Sequence, residues 1–428
     1  MIDYKAKIEC KASYVVVVAG GGVSGIGAAI ECARQGARVA IIERNGILGG
    51  GFTSGHVAPP LGSFTPNTMA DELLKKVGVE NGSGQSHDFE KMKIITSKMV
   101  ADENIDVFYG CSLVDVVKKD KNITHLIFST QSGLKAIEGK IFIDCTGDGV
   151  LSYLAGEKVE YGRDDGLVQP VSIMFTVENV HPDQHIVCYH EEMDTVLENG
   201  NYLALCREAC KNGTLPPTVN IVRLYRGVVP TERMVNATQA NGVNPLCPVQ
   251  AGKAQALLRE QMEQVVDFLK TTVKGFENIR IKNSTEGIGV RESRRVMGEY
   301  VMTAQDLLDG KKHADVVVHN AAFCIDIHNP SGAGQSEQDG CPKQSQPYDV
   351  PYRALLPTVT DNLLVAGRCI SGTHRAHASY RVMNICVNIG QATGIAGALC
   401  VKENVIPRKL DYKKIQKVLT DKGVELFN

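Results

Sequence analysis

Residues 14–43 read YVVVVAGGGVSGIGAAIECARQGARVAIIE, and this stretch decides the fold. The β-branched run Tyr14–Val18 is typical of a strand that is buried on both faces. After a glycine-rich turn, a helical pattern over Ala28–Gln35 ends at Gly36, and Ala37–Glu43 is a second buried strand. Strand, helix and strand in this order form a βαβ unit, which predicts an α/β fold with a parallel sheet.

The turn between the first strand and the helix has the spacing Gly20-x-Gly22-x-x-Gly25. The first glycine allows a tight turn, the second lets the backbone approach a pyrophosphate, and the third lets helix and strand pack closely. The free N–H groups of the helix N-terminus then face the anion. Glu43 ends the second strand, where a carboxylate can accept both ribose hydroxyls and disfavours a 2′-phosphate. The motif in this context predicts a dinucleotide site.

Composition excludes several classes of protein. The 428 residues carry 48 acidic and 46 basic side chains, a net charge of −2, which argues against a bulk nucleic-acid binder. No apolar run reaches the roughly 20 residues of a membrane-spanning helix, and the charged start is unlike a signal peptide. The 13 cysteines are scattered without a Cys-x-x-Cys pair, so reduced thiols in the cytoplasm are expected. No ligand spacing indicates a metal site.

Further elements are predicted from periodicity. Helical patterns cover Phe89–Glu103, Asp183–Glu198, Ala254–Lys270 and about Asn384–Val401, and Val107–Val117 is typical of one continuous strand. The last of these helices is rich in small residues, so we expect it to pack closely against a neighbour.

Several segments together resemble a known family. The sequence is similar to the FAD-dependent oxidoreductases of the glutathione-reductase-type fold, in the family's order across residues 14–400. One departure is Ala19, where relatives commonly have glycine. The segments that carry the resemblance are the glycine motif with Glu43-Arg44, Leu48–Gly50, Ile143–Gly149, Gly289–Arg295, Tyr348–Arg353, Asn362–Arg368 and Ser379–Met383.

The resemblance implies FAD as the cofactor and assigns its contacts. The glycine motif would hold the pyrophosphate, and the start of the last long helix would face the pyrimidine edge of the flavin, where its dipole favours the negative charge of the reduced ring. The implied FAD-contact residues are Gly20, Gly22, Val23, Ser24, Gly25, Glu43, Arg44, Gly49, Gly50, Thr53, Leu113, Val114, Thr146, Gly147, Asp148, Gly367, Arg368, Met383 and Asn384.

The resemblance also implies a domain organisation. A Rossmann-like FAD-binding domain, with a parallel sheet and an antiparallel β-meander, would comprise residues 1–160 and 351–408, with an insertion at 52–105. A mixed α+β substrate domain would span 161–350, and a helical tail 409–428. No second strand–GxGxxG–helix unit follows, so we expect no dedicated nicotinamide domain. NAD(P)H as a transient visitor, a protein electron partner and a homo-oligomer all stay open.

The substrate side contains a candidate proton carrier. Asp326 and His328 stand at i and i+2, which on a strand places both side chains on one face. The carboxylate would orient the imidazole, and His328 would move the proton that accompanies hydride transfer. A purely structural ion pair is the alternative.

A second group follows the predicted strand at Leu363–Ala366. His374, Arg375 and His377 are candidates for substrate binding or proton transfer, because a loop there would project toward the flavin. Arg381 is a candidate for binding a substrate carboxylate in bidentate fashion.

Three arginines lie close together further upstream. Arg291, Arg294 and Arg295 open a helix-like run with Glu292 and Glu299, and internal salt bridges are the expected account of them.

The residues and the resemblance together predict a soluble FAD enzyme. It would transfer hydride between the flavin N5 and a small organic metabolite, with the proton handled by His/Asp or Arg/His groups near the flavin. One alternative is a flavoenzyme without net redox chemistry, such as an isomerase, and another is an electron-relay subunit of a larger complex. The balanced charge counts against an RNA-modifying flavoprotein.

Overall fold

A computed structural model describes residues 5–80, 84–188, 195–334 and 343–427. It has the α/β architecture that the sequence predicts. A mixed sheet with helices on its faces forms one part of the molecule, and an antiparallel sheet with two long helices forms another.

The strands form one large mixed sheet and several small antiparallel sheets. In chain order they are β1 (Glu9–Ala19), β2 (Val39–Ile42), β3 (Asp106–Phe108), β4 (Ser112–Lys119), β5 (Asn122–Thr130), β6 (Gly133–Asp144), β7 (Val159–Tyr161), β8 (Phe175–Glu178), β9 (Val196–Leu197), β10 (Gly200–Asn201), β11 (Arg223–Arg226), β12 (Arg233–Asn236), β13 (Arg280–Ser284), β14 (Arg294–Val296), β15 (Val316–Ala321), β16 (Tyr348–Pro351) and β17 (Leu363–Val365).

The helices range from single turns to 25 residues. In chain order they are α1 (Val23–Arg34), α2 (Met69–Val77), α3 (Phe89–Asp102), α4 (Val150–Leu154), α5 (Tyr202–Asn212), α6 (Pro248–Thr272), α7 (Ala304–Leu308), α8 (His374–Tyr380), α9 (Met383–Glu403) and α10 (Tyr412–Asp421).

The large sheet has the order β3-β2-β1-β6-β5-β4, and β17 also pairs with β6. Strands β3, β2, β1, β6 and β17 run parallel, while β4, β5 and β6 form the antiparallel meander. Ala19 pairs with Asp144, which in turn pairs with Val365. The carboxyl ends of three central strands therefore meet at one edge, the position where α/β sheets bind ligands.

Helix α1 begins at Val23, five residues earlier than the sequence pattern predicts. Glycine costs about 1 kcal/mol in a helix interior, so local propensity argues against helix at Gly25 and Gly27. Tertiary packing overrides this cost, because a Cβ at Gly27 would lie 2.5 Å from the carbonyl oxygen of Val387 in α9. The small residues of α9 thus meet the small residues of α1, as expected for close helix packing.

Two of the elements predicted from periodicity are wrong. The strand predicted over Val107–Val117 is interrupted, so β3 lies at one edge of the sheet and β4 at the other. The helix predicted over Asp183–Glu198 falls partly outside the described residues, and its described parts are not helical. There, Cys188 forms a bridge with Leu224, and β9 pairs with β10, so pairing with neighbouring strands outweighs the local helical pattern.

The second sheet has the order β11-β12-β8-β13, and α5 and α6 contribute to its apolar core. That core is separate from the one between α1, α9 and the large sheet. Strands β15 and β16 contribute to the core of the large sheet. The domain boundaries stay a prediction.

Helix α9 packs against β1, β6 and β17 of the large sheet, and α10 packs against α9 and β15. Among the described residues α9 is the one helix long and apolar enough to cross a membrane, and 94% of its most apolar window is buried inside the protein. Helix α10 buries Ile415 and Leu419. Just after it, Lys422 forms an ion pair at 2.6 Å with the buried Glu31 of α1.

Candidate functional site

A cavity of about 570 Å³ opens at the carboxyl ends of β1, β6 and β17. It runs from the glycine turn to residues of the antiparallel sheet, including Tyr225 and Asn236. A cavity between two packed units, at the carboxyl edge of a parallel sheet, is where this architecture binds ligands.

The glycine turn leaves open space in front of α1. Gly22 is the N-cap residue of α1 and offers no side chain to the helix N-terminus. A Cβ placed on Gly22 would meet nothing within 4 Å, whereas a Cβ on Gly25 would clash with the carbonyl oxygen of Gly20. Gly20 itself has φ +96°, which a side chain would strain. The turn is therefore closed on its protein side and open on its cavity side, which fits a dinucleotide pyrophosphate at the helix N-terminus.

Glu43 is almost fully buried beside this turn. One carboxylate oxygen accepts a hydrogen bond from the N–H of Gly21 at 2.6 Å, and the other accepts one from the N–H of Asn45 at 2.7 Å. The carboxylate lines the cavity in a fixed orientation, so its remaining lone pairs can accept hydrogen bonds from the hydroxyl groups of a ribose.

Most of the FAD-contact residues that the resemblance implies line this one cavity. They are Gly20, Gly22, Val23, Ser24, Glu43, Arg44, Gly50, Leu113, Thr146, Gly147, Gly367, Arg368 and Met383.

The other implied contacts lie behind this lining. Gly25 packs within α1, and Gly49 forms a left-handed turn with φ +100°. The Thr53 hydroxyl donates to the Leu48 carbonyl at 2.5 Å. Val114 is 44% exposed on β4 and does not line the cavity.

Asp148 acts on the cavity through Arg368. The Arg368 guanidinium donates to the Asp148 carboxylate at 2.5 Å, and the Ser293 hydroxyl donates to the same oxygen at 2.6 Å. Burial alone would raise the pKa of Asp148, but Arg368, Ser293 and Arg44 hold it below its ordinary value. Asp148 is thus a buried carboxylate that positions an arginine in the cavity wall.

The N-terminus of α9 faces the middle of the cavity. Met383 lines the cavity, and the Asn384 amide donates to the Gly62 carbonyl at 3.0 Å. The Asn384 side-chain oxygen is buried without a hydrogen-bond partner. The structure places these residues at a positive helix end, as an anionic ring edge would require.

Asp326, His328 and Arg381 come together in the cavity wall. The His328 Nε2 lies 3.4 Å from the Asp326 Oδ2, and the Arg381 Nη2 lies 3.0 Å from that same oxygen. The segment is not part of a sheet, contrary to the predicted strand. Arg381 also donates to the Asp326 carbonyl at 3.0 Å, which holds the segment in place.

Protonation in this cluster is set by burial and by charge. Burial, followed by the charge of Arg291, lowers the pKa of His328 to about 3. Burial alone would raise the pKa of Asp326, but His328, Arg381 and Arg223 hold it well below its ordinary value. At neutral pH the pair is therefore a neutral imidazole beside a carboxylate.

Arg291 also lines the cavity, which the sequence pattern did not predict. Its guanidinium donates to the Pro170 carbonyl at 2.9 Å and lies 3.5 Å from the side-chain oxygen of Asn236. Burial and the charge of Arg381 lower its pKa to about 10, so it remains a cation at neutral pH. No local signal distinguishes Arg291 from its neighbours in sequence, because its position depends on the contact between the two sheets.

His374 lies outside the cavity lining, in a buried cluster behind it. Its Nδ1 lies 2.8 Å from the Glu292 carboxylate, which also accepts from Arg295 at 2.5 Å. The predicted salt bridge between Arg295 and Glu292 is thus present, although the segment is not helical. His377 is buried as well, and burial followed by the Arg381 charge lowers its pKa well below the ordinary value.

No group of three or more metal-binding side chains occurs within the described ranges. The cysteines described there are free thiols, and most of them are buried.

Comparison with known proteins places this site in a family. A family model described as FAD dependent oxidoreductase matches residues 15–419. Among curated proteins, a thiamine thiazole synthase from Methanococcus aeolicus is 30% identical over 168 residues, which cover 36% of this chain and 62% of that protein. That match spans less than two thirds of the relative's length.

Solved structures of low sequence identity are similar over nearly the whole chain. A geranylgeranyl bacteriochlorophyll reductase-like protein from Thermoplasma acidophilum has a TM-score of 0.49 at 12% identity, covering 98% of this chain and 85% of that one. A p-nitrophenol 4-monooxygenase from Pseudomonas putida has a TM-score of 0.49 at 9% identity, covering 96% and 85%. Because the family model matches almost the full length, the chain belongs to the FAD-dependent oxidoreductase family.

Proposed function

We propose that the protein transfers hydride between the flavin N5 and a small organic metabolite held between the glycine turn and the antiparallel sheet. The observation that carries this proposal is that one cavity is lined by both the dinucleotide cradle and the cluster of Asp326, His328 and Arg381. Bound FAD would supply hydride exchange at N5.

The chain's own residues would manage the proton. His328 lines the cavity beside the Asp326 carboxylate, so its imidazole would accept a proton from a substrate hydroxyl or amine, or return one in the reverse direction. Asp326 would stabilise the imidazolium that forms, and Arg381 holds Asp326 in place. The burial of His328 keeps bulk water from competing for this proton.

The cradle residues would bind and orient the cofactor. Glu43 fits the adenosine ribose, the N-terminus of α1 fits the pyrophosphate, and the N-terminus of α9 would meet the flavin ring. Transient use of NAD(P)H as a hydride source also belongs to this proposal, because no second glycine motif of the same kind occurs in the sequence.

The test is an anaerobic absorption titration of the purified holoenzyme with NADH and NADPH, followed by small alcohols, amines and hydroxy acids. We expect at least one compound to bleach the oxidised flavin, or to reoxidise the reduced flavin, within a catalytic cycle. A compound that is converted without net redox change would contradict hydride transfer to a product and favour an isomerase. Electron exchange with a co-purifying protein alone would favour a relay subunit.

Variants test the role of the imidazole. His328→Ala and Asp326→Asn should each slow the reductive half-reaction by about 10²-fold or more, because they remove the proton acceptor or its orienting carboxylate. His125→Ala, on the antiparallel meander, is the matched control. Wild-type rates in His328→Ala with full FAD content would refute the proposed proton transfer.

A further inference from the structure

We infer that Arg291 and Arg381 form a binding site for a carboxylate of the substrate, so that the metabolite is an organic acid. The inference deepens the proposed function and rests on the same cavity being the substrate site. The sequence pattern assigns Arg291 to internal salt bridges, and the structure instead places its guanidinium in the cavity wall.

Arg291 is a buried cation without a matching anion among the described residues. Its hydrogen bonds go to the Pro170 carbonyl and, at the longer distance of 3.5 Å, to the Asn236 amide oxygen. Neither group is charged, and within the described ranges no carboxylate lies within ion-pair distance of Arg291. A desolvated guanidinium is costly unless an anion compensates it, and its fork of donors matches a carboxylate in particular.

Arg381 adds a second guanidinium that is only partly satisfied. Its Nη2 donates to Asp326, while its Nε is buried without a hydrogen-bond partner. The charge of Arg381 also acts on Arg291. In the cavity lining, the guanidiniums of Arg291 and Arg381 face one carboxylate, that of Asp326, and a neutral His328, so these four side chains carry an excess of one positive charge.

The other acidic side chains of the cavity lining do not compensate this excess. Glu43 lies at the opposite end, where its oxygens accept from the backbone N–H groups of Gly21 and Asn45. Glu286 is exposed at the rim of the cavity. Among the described residues no further carboxylate of the cavity lining is left to neutralise Arg291, and an anionic ligand would do so.

Neighbouring groups fit an organic carboxylate better than an inorganic anion. The Asn236 amide donates to the Tyr225 hydroxyl at 3.3 Å, and both residues line the cavity beside Arg291. Met174, Ile288 and Val290 add apolar surface to the same wall. The combination of paired guanidiniums, neutral polar groups and apolar side chains suits a small acid with a hydrocarbon body.

The experiment measures binding to the oxidised holoenzyme without turnover. Calorimetric titrations with acetate, succinate and benzoate are compared with titrations of acetamide, succinamide and benzamide, which have similar shapes but no charge. We expect at least one carboxylate to bind at least 10-fold more tightly than its amide. Arg291→Met should remove this preference, Arg291→Lys should keep part of it, and Arg226→Met should not change it, since Arg226 is exposed on the same small sheet.

Equal affinity for carboxylates and amides would overturn the inference, as would binding of inorganic phosphate alone. Unchanged carboxylate affinity in Arg291→Met with full FAD content would do so too. If Arg291→Met fails to fold, the carboxylate affinity of Arg291→Lys is compared with that of the wild type. Lysine keeps the positive charge but lacks the planar fork of N–H donors that arginine offers a carboxylate. Hydride exchange with neutral metabolites only would overturn the inference and keep the proposed function. Carboxylate binding without any hydride exchange would keep the inference and overturn the proposed function.

Discussion

Arg368 and Asp148 join the loops that follow two neighbouring strands of the central sheet. The guanidinium of Arg368, after β17, lies 2.5 Å from the carboxylate of Asp148, after β6. The same guanidinium donates to the carbonyl of Gly147 at 3.1 Å and to that of Val290 at 2.7 Å. One side chain therefore fixes three segments of the cavity wall, including the segment that carries Arg291.

Asp148→Asn should weaken FAD binding by about 10-fold, because the partly buried Arg368 loses its charged partner and its fixed position. The measurement is FAD affinity from the quenching of flavin fluorescence. Asp115→Asn, an exposed carboxylate on β4, is the matched control and should not change the affinity. Wild-type FAD affinity in Asp148→Asn would show that FAD binding does not depend on the contact between Asp148 and Arg368.

Two glycines of the same turn should respond differently to alanine. In Gly22→Ala the new Cβ meets no protein atom, so the melting temperature of the FAD-free protein should stay unchanged. FAD affinity should nevertheless fall by about 100-fold, because the Cβ occupies the space left for the pyrophosphate. In Gly25→Ala the Cβ clashes with the Gly20 carbonyl, so the protein itself should be destabilised by about 2–4 kcal/mol.

Gly46→Ala is the control for this pair, because its Cβ also has open space and its φ is not positive. The measurements are thermal unfolding without FAD and an FAD titration. If Gly22→Ala kept its FAD affinity, the open space would not be the pyrophosphate site.

Glu292→Gln should destabilise the protein by about 3 kcal/mol. Glu292 is fully buried and is the charged partner of both Arg295 and His374, at 2.5 and 2.8 Å. Removing its charge leaves the buried Arg295 with only the more distant and exposed Glu160 carboxylate, at 3.8 Å, so a buried guanidinium loses most of its compensation. Glu260→Gln, on α6 and outside this cluster, should change the free energy of unfolding by less than about 0.5 kcal/mol. Similar denaturant midpoints for the two variants would contradict this account.

Much of the dinucleotide cradle could be predicted from sequence, because its signal is local. Gly20, Gly22 and Gly25 stand next to a strand and a helix, and Glu43 ends the next strand, so neighbours in sequence are neighbours in space. Asp326 and His328 are also close in the structure, although the segment between them is not the strand from which their spacing predicts the pair.

The substrate end of the cavity depends on contacts between distant segments, which no local pattern encodes. Arg291 and Arg295 are four residues apart and have similar surroundings in sequence, yet one lines the cavity and the other is sealed behind it. The sequence predicts His374 near the flavin, because it follows a strand at the ligand-binding edge. Helix α8 instead turns it toward Glu292, which offers a stronger charged hydrogen bond than water does.

His87 should make the stability of the protein depend on pH. Its Nε2 donates to the Phe52 carbonyl at 2.7 Å, and its Nδ1 is buried without a partner. A proton added to Nδ1 would therefore find no acceptor, and burial lowers the pKa of His87 to about 4. In the unfolded chain the pKa of histidine is about 6.5, so between pH 6.5 and 4 the unfolded state binds more protons than the folded state. The stability from neutral His87 is complete above the unfolded pKa and is lost as the pH falls toward 4. At pH 5.5 the loss should be about 1 kcal/mol.

The measurement compares denaturant unfolding of the wild type with that of His87→Gln at pH 8, 7 and 5.5. Between pH 8 and 7 the free energies of unfolding of the two proteins should change by the same amount. Between pH 7 and 5.5 the free energy of unfolding should fall more in the wild type than in His87→Gln. Parallel behaviour down to pH 5.5 would mean that His87 can be protonated in the folded state, and hence that its surroundings open to water.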